Sequence, residues 1–525
     1  MTLQLLISDT AAPRPPARPC RRGAFLLALR AGRLGVESAA AVSQLDVAYE
    51  KAAACEGGSG HQSPAQAAPT GTGTGDLATI AFETARQNLY PPDPIGGWLA
   101  ATDSDAEVQL WRLGVTGLRW ALPWVEEARA RAYCHSLEVA WQGAELGSGW
   151  MASGDPLRLP PSPPRPVAAA LAGGLLPCLE YLLRGAGRDP GGWQAAAVGE
   201  LAWLGRHMEL LLAYGDAGEA AALVATLGKL LRRALTDPRV VEGISDSQST
   251  FWQAVPLMVF GPLKVDQNLS QDQQAPEGTL EAAGAEPEAA AAGVAGAAPG
   301  PASPASQQLA SLLSFAACRW LPPLSRLAQH SLRADIGRGD GSGDSGGRGG
   351  CGSSGASGIA YLTASLLLSA SLSWVPLLRA CCGPQAAHRA PAPEGAGGSE
   401  GDGCGDDGGW RALLLEEVEV VPLLGVALDF LPELEAAGLS NHLPLLLKYL
   451  ARCSGHLAAL LLSDTARGSA PDAAGPSSGG ARARRLLRTC ANPGCANLDG
   501  DSEAGLRLTP CAGCGPFESQ ALKCP

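Results

Sequence analysis

Five long stretches of glycine, proline, serine and alanine constrain this chain more than any other feature. They run roughly over 56–78, 275–306, 337–358, 383–409 and 467–481. Such residues bury too little apolar surface to offset the conformational entropy lost on ordering, so the stretches read as disordered linkers. Any fold must be assembled from the leucine- and alanine-rich blocks between them, at about 79–270, 307–336, 359–382 and 410–466. Glycine (67) and proline (41) make up about a fifth of the 525 residues, yet 46% are apolar, which is enough to build a core. With 17% charged residues and no G-X-Y period, the chain is neither a coiled coil nor a collagen. Runs of β-branched and aromatic residues are missing, which argues against a β-sandwich. The expected fold class is all-α: an armadillo-like or irregular helical array with Gly/Pro/Ser/Ala-rich linkers.

The helical pattern is clearest at 197–235. Leu201, Leu204, Met208, Leu211 and Leu212 recur at spacings that line one helix face. Gly215-Asp216-Ala217-Gly218 then supplies a turn, and Asp216 followed by Glu219 has capping-box spacing. Leu223, Leu227, Leu230 and Leu231 form the next apolar face, with Lys229, Arg232 and Arg233 complementing the dipole before Asp237-Pro238. An αα-hairpin is expected. A looser theme places proline after an apolar residue at Leu176-Pro177, Leu321-Pro322, Val375-Pro376, Val421-Pro422, Leu431-Pro432 and Leu443-Pro444. Proline is pre-set for the first helical position, so each of these is expected to open a helix. The spacings are irregular and define no repeat period.

Residues 359–378 are twenty long and uncharged, but four serines, Thr363 and Pro376 favour a buried core helix over a membrane span. The tryptophans between 98 and 150 (Trp98, Trp111, Trp120, Trp124, Trp141 and Trp150) read as packing residues rather than a ligand groove. The start of the chain shows no charged n-region leading into an apolar h-region, so an intracellular location, cytoplasmic or nuclear, is expected. Its basic residues Arg14, Arg18, Arg21, Arg22, Arg30 and Arg33 make an organelle transit peptide the alternative. Scattered cysteines should stay reduced in such a compartment.

Several motif matches arise from linker composition alone. Gly343-Asp344-Ser345-Gly346-Gly347 fits a serine-hydrolase pattern, but it lacks the flanking strand and helix, and His388 follows rather than precedes the serine. Gly341-x-Gly343-x-x-Gly346 has neither strand nor helix to serve as a dinucleotide loop, and Gly228-Lys229 is followed by leucine, not Ser or Thr. The seven histidines form no metal pair. No enzyme site is expected. A net charge of −12 argues against broad nucleic-acid binding, and Arg482, Arg484, Arg485 and Arg488 read as a solvated face or localisation signal.

The cysteines carry the specific chemistry. Ten of the fifteen are spread over the first 489 residues, and five fall within 490–525. Cys490 and Cys495 are separated by four residues, and Cys511 and Cys514 by two. Both bites let two thiolates reach one tetrahedral Zn²⁺, and Pro493-Gly494 and Gly513 supply the turns. A redox role for Cys511–Cys514 would need a βαβ context that is missing.

The string CANPGCANLDGDSEAGLRLTPCAGCG resembles the first half of a MYND-type zinc finger with a C-x4-C opening. The phrases LAGGLLPCLEYLLR and ALVATLGKLLRRAL are similar to the helical bodies of proteins that end in such fingers. The resemblance implies two interleaved zinc sites, with Cys490 and Cys495 in one and Cys511 and Cys514 in the other. It also implies protein partners, bound through short proline-containing peptides. After Cys514 the chain departs from the family: GPFESQALKCP lacks the further Cys, Cys, His and Cys ligands, and Cys524 is out of register. Three explanations follow. The sequence is cut short, the finger is degenerate and binds no metal, or four of the five cysteines make one rearranged site. The first ranks highest.

The resulting expectation is a non-enzymatic protein-interaction scaffold that binds zinc and does not enter a membrane. A SET/MYND-type lysine methyltransferase is the enzymatic alternative, but Asn441-His442 is followed by Leu-Pro where that class needs Asn-His-x-Cys. The expected organisation is a basic tail, helix and linker at 1–78, then a helical domain at 79–270 and a linker at 271–306. A second helical domain follows at 307–466, interrupted at 337–358 and 383–409, then a linker at 467–489 and a partial finger at 490–525.

Overall fold

The computed structural model describes residues 104–120, 127–142, 159–237, 250–260, 303–339, 364–374 and 413–436, helical positions within 444–458, and residues 496–502, 509–510 and 522–523. The linker matches, the N-terminal tail and Cys490, Cys495, Cys511 and Cys514 lie outside the described residues.

The fold is all-α. Helices α1 (Ser104–Trp120) and α2 (Glu127–Gln142) precede α3 (Arg165–Ala172), α4 (Leu175–Arg188) and α5 (Trp193–Glu200). A 3-10 turn, Ala202–His207, leads into α6 (Met208–Tyr214), then α7 (Ala217–Thr236), α8 (Thr250–Phe260) and the 36-residue α9 (Pro304–Gly339). An apolar helix α10 (Ala364–Trp374) and α11 (Val420–Ala436) follow. The strands β1 (Thr509–Pro510) and β2 (Leu522–Lys523) pair antiparallel, with Thr509 opposite Lys523.

Helix α7 is the centre of the array. It packs on α4 along one side and α9 along the other, and α9 in turn meets α6 and α11. Its buried residues run without a break from Ala220 to Leu231, and the small Ala220, Ala221, Ala222, Ala225 and Gly228 let neighbours approach closely. The buried residues form one continuous cluster from Leu110 on α1 to Leu498 near the C-terminus. That cluster spans both expected helical domains.

Local signals explain how α7 begins and ends. Asp216 is its N-cap: the carboxylate accepts from the backbone N–H of Gly218 (2.9 Å) and Glu219 (3.1 Å). Asp237, held away from helical geometry by the following Pro238, closes it. Asp216→Ala is expected to cost about 1 kcal/mol of stability, read as a shift in the denaturant midpoint. Across the turn, Gln308 of α9 donates to the carbonyls of Leu212 and Gly215, both at 2.8 Å, satisfying acceptors that the end of α6 leaves open.

Three expectations need correction. The arm carrying Leu201, Leu204, Met208, Leu211 and Leu212 is not one helix, although all five are buried. It breaks at the 3-10 turn, where Gly205 sits so close to α8 that a Cβ there would lie 2.4 Å from the Leu257 carbonyl oxygen. Pro322 and Pro432 do not open helices; they lie inside α9 and α11, with Pro323 beside the first. Pro323 removes the N–H that would bond the Arg319 carbonyl, and Arg232 of α7 reaches that oxygen instead, at 3.5 Å. Lys229 is buried rather than placed at a solvated helix end.

Residues 364–374 are a core helix. Its four serines are buried, and Ser371 and Ser373 donate to the carbonyls of Leu367 and Ala370. Trp374 meets Trp320 of α9 edge-on at 5.9 Å. Trp111, Trp141 and Trp203 likewise pack together, with Trp111 and Trp141 edge-on at 5.7 Å. Among the described residues no single helix is long and apolar enough to cross a membrane. The pair α3–α4 meets the length and composition together, but it bends by 62° and carries the buried Glu180 and Arg184.

Candidate functional site

A buried ion pair on α4 marks the site. Glu180 and Arg184 stand one turn apart on a helix whose one other charge is the terminal Arg188, and are 1% and 0% exposed. Desolvating both charges is costly unless every donor and acceptor finds a partner. Within the body, Thr226 of α7 donates to Glu180 Oε1 at 3.2 Å and accepts from Arg184 Nη1 at 3.4 Å. The ion pair itself is long, at 3.9 Å.

Further partners come from more than 300 residues away in sequence. Residues 496–502 lie across α4, running against its direction. Arg184 Nε donates to the Gly500 carbonyl at 3.1 Å, and Arg184 Nη2 donates to the Asp499 carbonyl. Arg188 Nη1 donates to the carbonyls of Leu498 (3.2 Å) and Gly500 (2.9 Å). At the other end, Ser502 Oγ donates to Glu180 Oε2 at 2.7 Å. Hydrogen bonds to charged groups are worth about 1.5–3 kcal/mol each, a range that applies to the buried Arg184 and not to Arg188, which is exposed.

The segment is shaped to fit. Asn497 Oδ1 accepts from the Asp499 N–H at 2.7 Å, which makes an Asx turn, and Gly500 has φ +75°, a backbone that side chains oppose. Together they aim three successive carbonyls at the two arginines. Leu498 is 1% exposed and fills a notch over Gly187, where a Cβ would lie 2.4 Å from Leu498 Cδ1 and 2.2 Å from Leu230 Cδ2. Burying that leucine is worth roughly 1.5–3 kcal/mol. Arg119 adds an ion pair to Asp501 at 3.3 Å while lying over the Tyr181 ring at 4.8 Å. Asp501 is mostly exposed, so that pair contributes little.

The expected metal ligands flank this segment. Cys495 directly precedes Ala496, and β1 ends at Pro510, directly before Cys511. The four sulfurs lie outside the described residues, so their mutual geometry stays an expectation from spacing. Among the described residues no group of three or more His, Cys, Asp and Glu side chains could hold a metal.

Other titratable side chains have structural roles. Cys134 and Cys178 are buried thiols, and burial pushes the Cys178 thiol from 9.0 up to about 12. A thiol held protonated in this way stabilises the fold fully below its unfolded value near 9. The contribution is lost as pH rises toward 12, because the unfolded chain sheds that proton first. Stability is therefore expected to fall above about pH 9, followed by the denaturant midpoint between pH 8 and 11, and Cys178→Ala should flatten that fall.

Sequence reasoning missed the docking. Its signals were present: a charged i, i+4 pair on the apolar face of LEYLLR, and a lone leucine in the polar string ANLDGDS. Comparison with family models, characterised proteins and solved structures gives no match to this chain, so these comparisons give no family for it.

Proposed function

We propose that this protein is a non-enzymatic interaction scaffold whose helical body carries a MYND-type zinc-binding finger. The observation that supports it is the seating of residues 496–502, the stretch between the two cysteine pairs, on α4. A segment anchored by Arg184, Arg188 and Glu180 ties down the chain between Cys490–Cys495 and Cys511–Cys514, directly after Cys495. The donor set suits zinc if Cys490, Cys495, Cys511 and Cys514 form one rearranged site rather than the two half-sites of a complete finger, since four thiolates at these spacings are soft ligands for a tetrahedral ion. Zinc would supply a structural cross-link, worth roughly 10–16 kcal/mol in finger peptides. Proline-containing peptides are the partner class that the family resemblance implies.

Metal analysis of the full-length protein in reducing buffer tests this reading. About one zinc per chain, lost in Cys490→Ser and Cys511→Ser, is the expected result. A content below about 0.3 zinc per chain contradicts it.

A further inference from the structure

We infer that the α4 groove is a receptor for a leucine-bearing acidic turn, filled in cis by residues 497–502 and able to take the same turn from a second copy of this chain. The inference stands on the docking geometry and does not depend on metal.

Three features make the turn a separable ligand. Its shape is set from within, by the Asn497 side chain and the left-handed Gly500. The bonds from Arg184 and Arg188 go to the carbonyls of Leu498, Asp499 and Gly500, and Glu180 takes the Ser502 hydroxyl. None of these contacts requires that the turn belong to the same chain. Charge is complementary as well: the Asp501 carboxylate pairs with Arg119, and the turn's carbonyls take Arg184 and Arg188.

Chain length permits exchange. Residues 459–495 separate the last described helical position from the turn, and at about 3.3 Å per residue they can reach on the order of 120 Å. An empty groove costs contacts: Arg184 loses two carbonyl acceptors, Glu180 loses the Ser502 hydroxyl, and the notch over Gly187 loses Leu498. A tethered turn competes at an effective concentration of order millimolar, so a second copy gains the groove only when the cis turn is withdrawn or disabled.

Two full-length variants separate the parts. Leu498→Asp spoils the turn and leaves every body residue in place. Gly187→Leu fills the notch and leaves the turn intact. Mixed together, they are expected to form a one-to-one complex in sedimentation velocity that neither forms alone. A synthetic peptide, ANLDGDSEA, serves as a probe that does not depend on the folding of the second variant. It is expected to bind Leu498→Asp at least about tenfold tighter than wild type, and to lose that binding when its leucine is replaced by aspartate. Equal or absent peptide binding to Leu498→Asp and wild type would overturn the receptor. Peptide binding without a mixed complex would overturn the second copy as partner.

Discussion

Arg184→Ala is expected to lower the unfolding free energy by about 3–5 kcal/mol, the cost of stranding a buried charge. The guanidinium is fully buried and supplies donors to Gly500, Asp499 and Thr226. Its removal leaves Glu180 buried, with only the Thr226 and Ser502 hydroxyls as donors among the bonds described above. The asymmetry of buried pairs gives a second, sharper expectation. Replacing both charges, as in Glu180→Met with Arg184→Met, should cost less than Arg184→Ala alone, because no uncompensated ion remains. Urea midpoints of the three proteins decide the matter. An Arg184→Ala loss below about 1 kcal/mol would mean that water, not residues 496–502, satisfies the guanidinium.

Trp320→Ala is the second large effect, at about 3–5 kcal/mol. Trp320 is fully buried on α9, and its indole N–H donates to the Val224 carbonyl of α7 at 2.8 Å. Its ring also meets Trp374 of α10 edge-on. One side chain therefore ties three helices, and truncating it opens a cavity where they meet. Trp320→Phe keeps much of the volume and loses the hydrogen bond, so its cost should be clearly smaller. Thermal unfolding followed by near-UV circular dichroism would report both the midpoint and the loss of tryptophan packing.

Much of the fold was legible in the sequence. The apolar spacing of Leu223, Leu227, Leu230 and Leu231, the Asp216 cap and the serine-bearing core helix at 364–374 are local properties, and local chemistry sets them. What escaped was decided by tertiary approach. At the 3-10 break Ala202–His207, α8 approaches Gly205 too closely for a side chain, and in α9 the carbonyl opposite Pro323 takes a donor from α7. Lys229 is buried because α7 is enclosed on all sides, which no single-helix pattern can reveal. At the site, sequence reasoning found the cysteine spacings but treated the residues between them as a spacer. The partner of ANLDGDS lies more than 300 residues earlier in the chain, on a helix whose charges look like an ordinary i, i+4 pair.

The central claim is that residues 497–502 are held on α4. Hydroxyl-radical footprinting of the full-length protein tests it most directly, because the Leu498 side chain is buried when the turn is docked. Oxidation of Leu498 at least about tenfold slower than in an unfolded peptide, with that protection lost in Arg184→Ala, is the predicted result. Oxidation of Leu498 at the unfolded-peptide rate in the wild-type protein would contradict it.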